Sequence, residues 1–559
     1  MNGTLIPVEQ ETMATTRRFL VLALMAFGVG WGLQPAAIQS AAAQEPKQVA
    51  REIAQIVRDG EAPFGSDLED ERLFQVYAYY HLRSFTPIWV RDDGPKTKGR
   101  ELLAVLQNAS ADGLEPNDYH VGRLSELMEQ SDVRSLARLE LLLTRAFLDY
   151  GRDLSAGRVE PNSVDSEVHM NPDPIDAGKL IHGAEGADDI GPYVHTLAPQ
   201  TDEYLRLATM LAEYREMAAL GGWPTVPDGE TLKPGMDDPR VPALRQYLSA
   251  VGDYLGDPDD PSTLFDEELE ASVNRFQERH GIDVDGAVGP ATLAEMNTPI
   301  EERIETMELN MERRRWMVDD LGERYVFVNL ADQVLKVVDN GRTIHTARTV
   351  VGKPYTRTPV FDEIMQYVVI NPDWTVPNSI ARNEYLPKLR KSPGALAAQN
   401  IHVYAGNGRI DPYSVDWNAI SPSNFRYTLR QDPGPGNALG QIKFMFPNQY
   451  NIYIHDTPSK GLFARSSRAF SHGCVRVQDP VELGAVILGT QGWTAEKIRS
   501  VIASGKKTVV NLEEPLPVHV TYLTAWVNKD GTVNFRNDIY NRDKRLREGL
   551  QMTRLVQGG

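Results

Sequence analysis

The single cysteine of the chain, Cys474, stands in the run Ser471-His472-Gly473-Cys474, with Arg476 two residues further on. A second histidine, His455, closes a strand-like stretch that begins at Asn451. A thiol is a strong nucleophile only as the thiolate. A histidine within hydrogen-bond reach can take its proton and hold the charge as imidazolium. The imidazole then needs a partner that fixes its tautomer, and a backbone carbonyl serves as well as a carboxylate. Gly473, just before the thiol, lets backbone approach a substrate closely. The amides around Gly473 and Cys474 can donate to a developing oxyanion. These residue types describe acyl transfer through a cysteine thioester, with Cys474 as nucleophile and a histidine as base.

Other chemistries fit less well. A phosphatase loop needs an arginine six residues after the cysteine, and Pro480 occupies that position. A papain-like site normally places cysteine before histidine in the chain. A zinc site built from His455, His472 and Cys474 lacks a spaced ligand pair and a clear fourth ligand. The bland alternative is an inert buried cysteine beside two core histidines. On extended backbone His472 and Cys474 would point to the same face, so either histidine could reach the thiol. A base on a separate strand can be fixed by its own carbonyl partner while the nucleophile moves, which favours His455.

Positioning such a site requires a rigid sheet, and the hydrophobic period becomes two from Tyr325. Val326, Val328 and Leu330 share one face, with Phe327 and Asn329 on the other. The runs Val334 to Val338 and Thr343 to Val350 flank Asn340-Gly341, a strong hairpin signal. Further strands are expected over Met365 to Asn371, Gln441 to Phe446 and Asn451 to His455. Residues 324–512 therefore read as a mostly β catalytic domain. Within it, residues 377–435 form an irregular insert carrying Tyr404, Tyr413, Trp417 and Phe425. So long a stretch between strands is usually functional or disordered, and a lid over the site is expected. Residues 513–559 read as a C-terminal extension with a hairpin turning at Lys529-Asp530-Gly531.

Upstream, residues 44–230 read as a helical scaffold. Its clearest helix is Ser135 to Leu154, where Leu136, Leu139, Leu143 and Phe147 mark one face. Between Pro161 and Pro199 the chain is rich in Asp, Pro and Gly, which suggests loops or a linker. Residues 235–298 form a compact helical unit. Leu269, Val273 and Phe276 share a helix face there, Gly281 stops that helix, and Pro290 opens the next. Residues 299–323 contain a charged helix, Glu301 to Trp316, expected to act as a connector. The fold class is multidomain α+β.

A length of 559 residues implies several domains. The net charge of -19 and the lack of a basic, aromatic-rich stripe exclude nucleic acid as the partner. Arg17 and Arg18 precede an apolar run from Phe19 to Leu33, and Ala41-Ala42-Ala43 follows. Residues 1–43 therefore read as an export signal, either cleaved or kept as a membrane anchor, with Met13 an alternative start. The run is short for a span, which needs about 20 apolar residues. One cysteine in an exported chain means no internal disulfide.

Two stretches resemble known families. "FDEELEASVNRFQERHGIDVDGAVGPATLAEMN" resembles the three-helix peptidoglycan-binding module of bacterial wall enzymes. "HDTPSKGLFARSSRAFSHGCVRV" resembles the signature of the L,D-transpeptidases with a YkuD-type catalytic domain. The lead-in "GKPYTRTPVF" is similar to that family too. "DYGRDLSAGRV", "PGPGNALGQIKFMFPN" and "FRNDIYNRD" are similar to its large periplasmic Gram-negative subgroup, which has a helical scaffold.

The resemblance implies that Cys474 attacks the carbonyl of meso-diaminopimelate in a donor tetrapeptide and releases D-alanine. The thioester would then pass to the side-chain amine of a second diaminopimelate, giving a 3→3 cross-link. It further implies His455 as base, oriented by the Asp456 carbonyl, with Gly473 and Cys474 amides at the oxyanion. Arg476, Tyr453, Trp374, Ser471 and His472 are expected against the substrate, with a structural ion pair as the alternative for Arg476. The expected partners are stem peptides and glycan, with other wall synthases, in the periplasm. Neither a metal nor an organic cofactor is called for. Hydrolysis of the same thioester, transfer to a wall-linked protein, and a non-catalytic wall-binding scaffold are the competing readings.

Overall fold

The computed structural model describes residues 47–59, 71–173, 175–318 and 320–557. The expected export signal, residues 1–43, lies outside the described residues. The chain is multidomain α+β.

The scaffold is organised by the helix Val133–Ala156. Asp132 caps its start by accepting the Ser135 N–H at 3.0 Å. Leu136, Leu139, Leu143 and Phe147 are fully buried along it. The buried Glu140 carboxylate on this helix accepts N–H groups from Trp89 at 2.8 Å and Val90 at 3.0 Å, so a loop is pinned to the helix. The stretch expected to be a linker instead carries the helices Ala177–Gly186 and Ile190–His195. Leu180, Ile181, Ile190 and Val194 bury against the scaffold core. The Asp, Pro and Gly residues mark the turns between these short helices.

The unit at 235–298 has helices Val241–Ala250, Glu267–Arg279 and Pro290–Met296 around a core of Leu244, Leu269, Val273 and Phe276. The Gln277 amide holds the Asp285-Gly286 turn, accepting both backbone N–H groups at 3.0 Å. This pairing ties the helix to the turn that follows it.

The helix Ile300–Arg315 connects two cores through buried contacts. Met307 and Met311 belong to the scaffold core, while Leu309 belongs to the catalytic core. Its arginines are buried but paired, Arg315 with Glu312 at 3.1 Å and Arg313 with Asp543 at 2.5 Å. Pairing is what makes buried charge tolerable.

The catalytic sheet has nine strands. In chain order they are β1 Arg324–Asn329, β2 Val334–Asp339, β3 Arg342–Gly352, β4 Phe361–Ile370, β5 Ile442–Met445, β6 Ile454–His455, β7 Ala469–Ser471, β8 Val475–Val477 and β9 Thr508–Thr521. Their spatial order is β7-β3-β8-β6-β5-β4-β9-β1-β2, and β2 also pairs with β3, so the sheet curls back on itself. β9 runs through the expected domain end near residue 512. It pairs with β4 antiparallel and β1 parallel. The hairpin Ala525–Val527 with Val533–Phe535 forms where expected, but it packs into the scaffold core. The helix Arg542–Gln557 follows, and its Leu546 joins the catalytic core. The tail therefore joins two cores.

The insert is not irregular. It folds around its own core of Trp374, Leu386, Leu389, Val403, Trp417, Phe425 and Leu429. Strands Trp374–Thr375, Thr428–Gln431, Ile401–Ala405 and Gly408–Ile410 pair in that order.

Candidate active site

The site grows out of three adjacent strands. β5 pairs antiparallel with β6 through Lys443 opposite His455, and β6 pairs parallel with β8 through His455 opposite Arg476. Side chains alternate across a sheet. Ile442, Phe444, Ile454, Val475 and Val477 therefore point into the core, where all are fully buried. Lys443, Tyr453, His455, Cys474 and Arg476 are left on the other face. Two stretches distant in sequence are brought side by side because β6 and β8 are parallel neighbours.

His455 is buried at 4% exposure. Its Nδ1 lies 2.5 Å from the Asp456 carbonyl. A carbonyl only accepts, so Nδ1 carries the proton and Nε2 keeps its lone pair. Burial, reinforced by the Arg476 guanidinium, holds the His455 pKa down to about 3, so the imidazole is neutral at rest. Asp456 is itself fixed, accepting the Gln441 N–H at 2.8 Å and the Thr457 N–H at 2.6 Å, and pairing with Lys460.

Cys474 is half-buried, and its Sγ donates to the Asn451 carbonyl at 3.7 Å. Among the described residues no hydrogen bond joins it to His455, as is common before substrate tightens a site. Burial pushes the thiol up. Tyr453, through its backbone and hydroxyl, and then Lys443 and Arg476 act against that rise. Tyr453 and Cys474 act on each other's titration, and Tyr453 packs against the insert core that contains Trp374. The Lys443 ammonium sits 3.8 Å from the centre of the Tyr453 ring, and the His455 ring lies 5.6 Å from it.

The turn before the thiol is braced rather than extended. Gly473 has φ 116°, a region that favours glycine, and a Cβ there would meet Ile452 Cδ1 at 3.3 Å. The same-face argument for His472 and Cys474 therefore fails, because the backbone bends between them. Ser471 is buried, and its hydroxyl accepts the Gly473 N–H at 3.0 Å and donates to the Cys474 carbonyl at 2.6 Å. Its bonding is spent within the turn rather than offered to a substrate. The Gly473 amide is occupied too, so the Cys474 amide remains as the candidate oxyanion donor.

The lead-in motif supplies the outer brace. Thr358 Oγ1 donates to the Gly473 carbonyl at 2.7 Å and accepts the Gly352 N–H at 3.0 Å. A Cβ on Gly352 would sit 2.1 Å from the Thr356 carbonyl oxygen.

Arg476 Nε makes no hydrogen bond, and no carboxylate pairs with Arg476 among the described residues. The structural ion-pair alternative therefore has no partner. Trp374 is 7% exposed, a core residue of the insert that also reaches Tyr453. His472 turns outward, with Nε2 2.8 Å from Glu384 Oε1 of the insert. Sequence reasoning missed Lys443, Thr358 and Glu384. Alternation along "QIKFMF" singles out Lys443 as the polar residue of a strand. Nothing local marks Glu384. A broad cleft of about 1380 Å³ lies elsewhere, between the unit at 235–298, the scaffold, the catalytic sheet and the tail, and contains neither Cys474 nor His455.

Comparison with known proteins agrees with this arrangement. Residues 323–508 match the YkuD family, described as "L,D-transpeptidase catalytic domain". Residues 237–296 match a "Putative peptidoglycan binding domain", and residues 75–211 a "Scaffold domain". A protein of Haemophilus influenzae named "Putative L,D-transpeptidase" is 36% identical over 242 residues, 43% of this chain and 49% of that protein. The match thus spans about half the length of the relative. An L,D-transpeptidase structure from Xylanimonas cellulosilytica covers 53% of this chain and 98% of that one, at 15% identity and a TM-score of 0.18. A fused zinc-dependent amidase/peptidase/peptidoglycan-binding protein from Clostridium acetobutylicum covers 52% and 100%, at 12% identity and 0.14. At such TM-scores neither structure carries weight. The strand-borne cysteine and histidine and the family matches together identify the chain as one that carries a YkuD-type L,D-transpeptidase catalytic domain beside a peptidoglycan-binding domain and a scaffold domain.

Proposed function

We propose that the protein is a peptidoglycan L,D-transpeptidase that forms 3→3 cross-links through a Cys474 thioester. The observation that carries this reading is the shared sheet face of Tyr453, His455, Cys474 and Arg476, set by the parallel pairing of β6 and β8. Cys474 attacks the meso-diaminopimelyl carbonyl of a tetrapeptide donor. His455 Nε2 takes the thiol proton and returns it to the departing D-alanine amine. The thioester carbonyl then meets the amine of a second diaminopimelate. The Cys474 amide is the oxyanion donor, and the unpaired Arg476 guanidinium suits a substrate carboxylate.

The folded insert supports an amine acceptor over water. With Tyr453 packed against its core and Glu384 in contact with His472, it is placed to act as a lid over the nucleophile. Docking on wall polymer through the unit at 235–298 and a periplasmic location follow from the same reading. No helix among the described residues is long and apolar enough to cross a membrane.

The test is mass spectrometry of products from purified tetrapeptide muropeptides, with wild-type protein and Cys474→Ala. The expected result is a 3→3 dimer and free D-alanine that vanish in the variant. Tripeptide monomer alone would establish hydrolysis instead. No product would return the protein to a wall-binding scaffold.

A further inference from the structure

The contact between the insert and the nucleophile turn carries a chemical consequence of its own. We propose that Glu384 and His472 form a second acid–base pair, which deprotonates the acceptor amine. This assignment rests on the transpeptidase reading and concerns its second half-reaction.

Three observations carry it. First, a carboxylate of the insert and the imidazole of the nucleophile turn stand in contact. Glu384 Oε1 lies 2.8 Å from His472 Nε2 as an ion-pair contact. No hydrogen bond to Nδ1 occurs among the described residues. Second, both groups reach solvent, with His472 38% and Glu384 47% exposed, so a proton taken here can leave. His455 is 4% exposed, and its Nδ1 is committed to the Asp456 carbonyl. Third, the pocket behind them is cationic. Lys443 and Arg476 both act on Cys474, and Lys443 covers the Tyr453 ring.

An aliphatic amine arrives as an ammonium ion. Like charge and desolvation both oppose its entry beside Lys443 and Arg476. It must lose its charge at the rim, where the Glu384 carboxylate attracts it and His472 can accept a proton. Glu384 sits in a π-helical turn, Ala381–Tyr385, a geometry that often marks functional sites.

The step balances as follows. The ammonium gives one proton to His472 Nδ1, which releases it to solvent. The neutral amine attacks the thioester carbon, the C–N bond forms and the C–S bond breaks. The second amine proton passes to the departing Cys474 sulfur, regenerating the thiol.

The experiment uses the full chain, a tetrapeptide donor and two nucleophiles, a tripeptide acceptor and hydroxylamine. Hydroxylamine is largely unprotonated near neutral pH and needs no base to free its lone pair. The readout is the ratio of aminolysis to hydrolysis of the same thioester, so the fraction of folded protein cancels. In Glu384→Gln and in His472→Gln the ratio for the tripeptide acceptor should fall at least about tenfold. The ratio for hydroxylamine should change by less than about threefold, and Glu384→Asp should recover part of the loss. An unchanged tripeptide ratio, or an equal fall for both nucleophiles, would overturn the assignment in favour of a structural contact. If wild-type protein releases D-alanine yet cross-links nothing, the transpeptidase reading fails, and the acceptor base fails with it.

Discussion

Removing one oxygen from Tyr453 should make the nucleophile measurably less acidic. Tyr453 acts against the burial-driven rise of the Cys474 thiol pKa, and its phenol proton is the side-chain group that can donate to the thiolate. Tyr453→Phe keeps the ring that packs under the Lys443 ammonium, 3.8 Å away, and beside the His455 ring. Only the hydrogen bond to the thiolate is lost. A hydrogen bond to a charged group contributes about 1.5–3 kcal/mol. One pKa unit corresponds to about 1.4 kcal/mol, so the thiol pKa should rise by about 1–2 units. Below that pKa the thiolate fraction falls by about 10–100-fold. The rise adds to one that burial already imposes. The assay is the rate of Cys474 acylation by a carbapenem, or alkylation by iodoacetamide, across alkaline pH, followed by intact mass. With one cysteine in the chain, an adduct absent from Cys474→Ala reports on this site. A pKa that moves by less than about 0.3 unit would refute the reasoning and leave Tyr453 as a packing residue.

Further outcomes follow from the same geometry. His455→Ala should slow carbapenem acylation by roughly 10²–10⁴-fold, whereas His472→Ala should retain a reactive thiol; the reverse pattern would mean that the base has been misassigned. His455 is held at about 3 against an ordinary 6.5, so the unfolded chain binds a proton that the folded chain refuses between those values. Its contribution is fully present above pH 6.5 and is lost toward pH 3, at up to about 1.4 kcal/mol per pH unit. The stability gap between wild type and His455→Gln should therefore narrow on acidification, and a gap independent of pH in chemical denaturation would contradict this. Gly352→Ala places a Cβ against backbone at 2.1 Å and displaces the Thr358 brace on Gly473. It should cost about 1–3 kcal/mol in stability and slow acylation, and an unaltered melting temperature would show that the lead-in loop yields freely.

The sequence alone determined the reactive elements. A lone cysteine after a glycine, with a histidine at a strand end, is written in local residue types, and so is the helical face of Leu136, Leu139, Leu143 and Phe147. The hairpin at Asn340-Gly341 and the helix stop at Gly281 are equally local, because backbone sterics fix them. Tertiary structure decided the rest. The charged run at Ile300–Arg315 reads as a connector, and its arginines are buried because their partners Asp543 and Glu203 come from distant segments. The insert lacks a regular period because its strands pair with one another across long loops around a core of aromatics. Ser471 carries the residue type of a substrate ligand, but the Gly473 bend turns its hydroxyl inward. Lys443 and Glu384 meet the thiol and His472 only through strand register and insert packing. Charge pairing, register and burial are properties of contacts between distant residues, and for that reason a linear reading locates the nucleophile but not the charges that surround it.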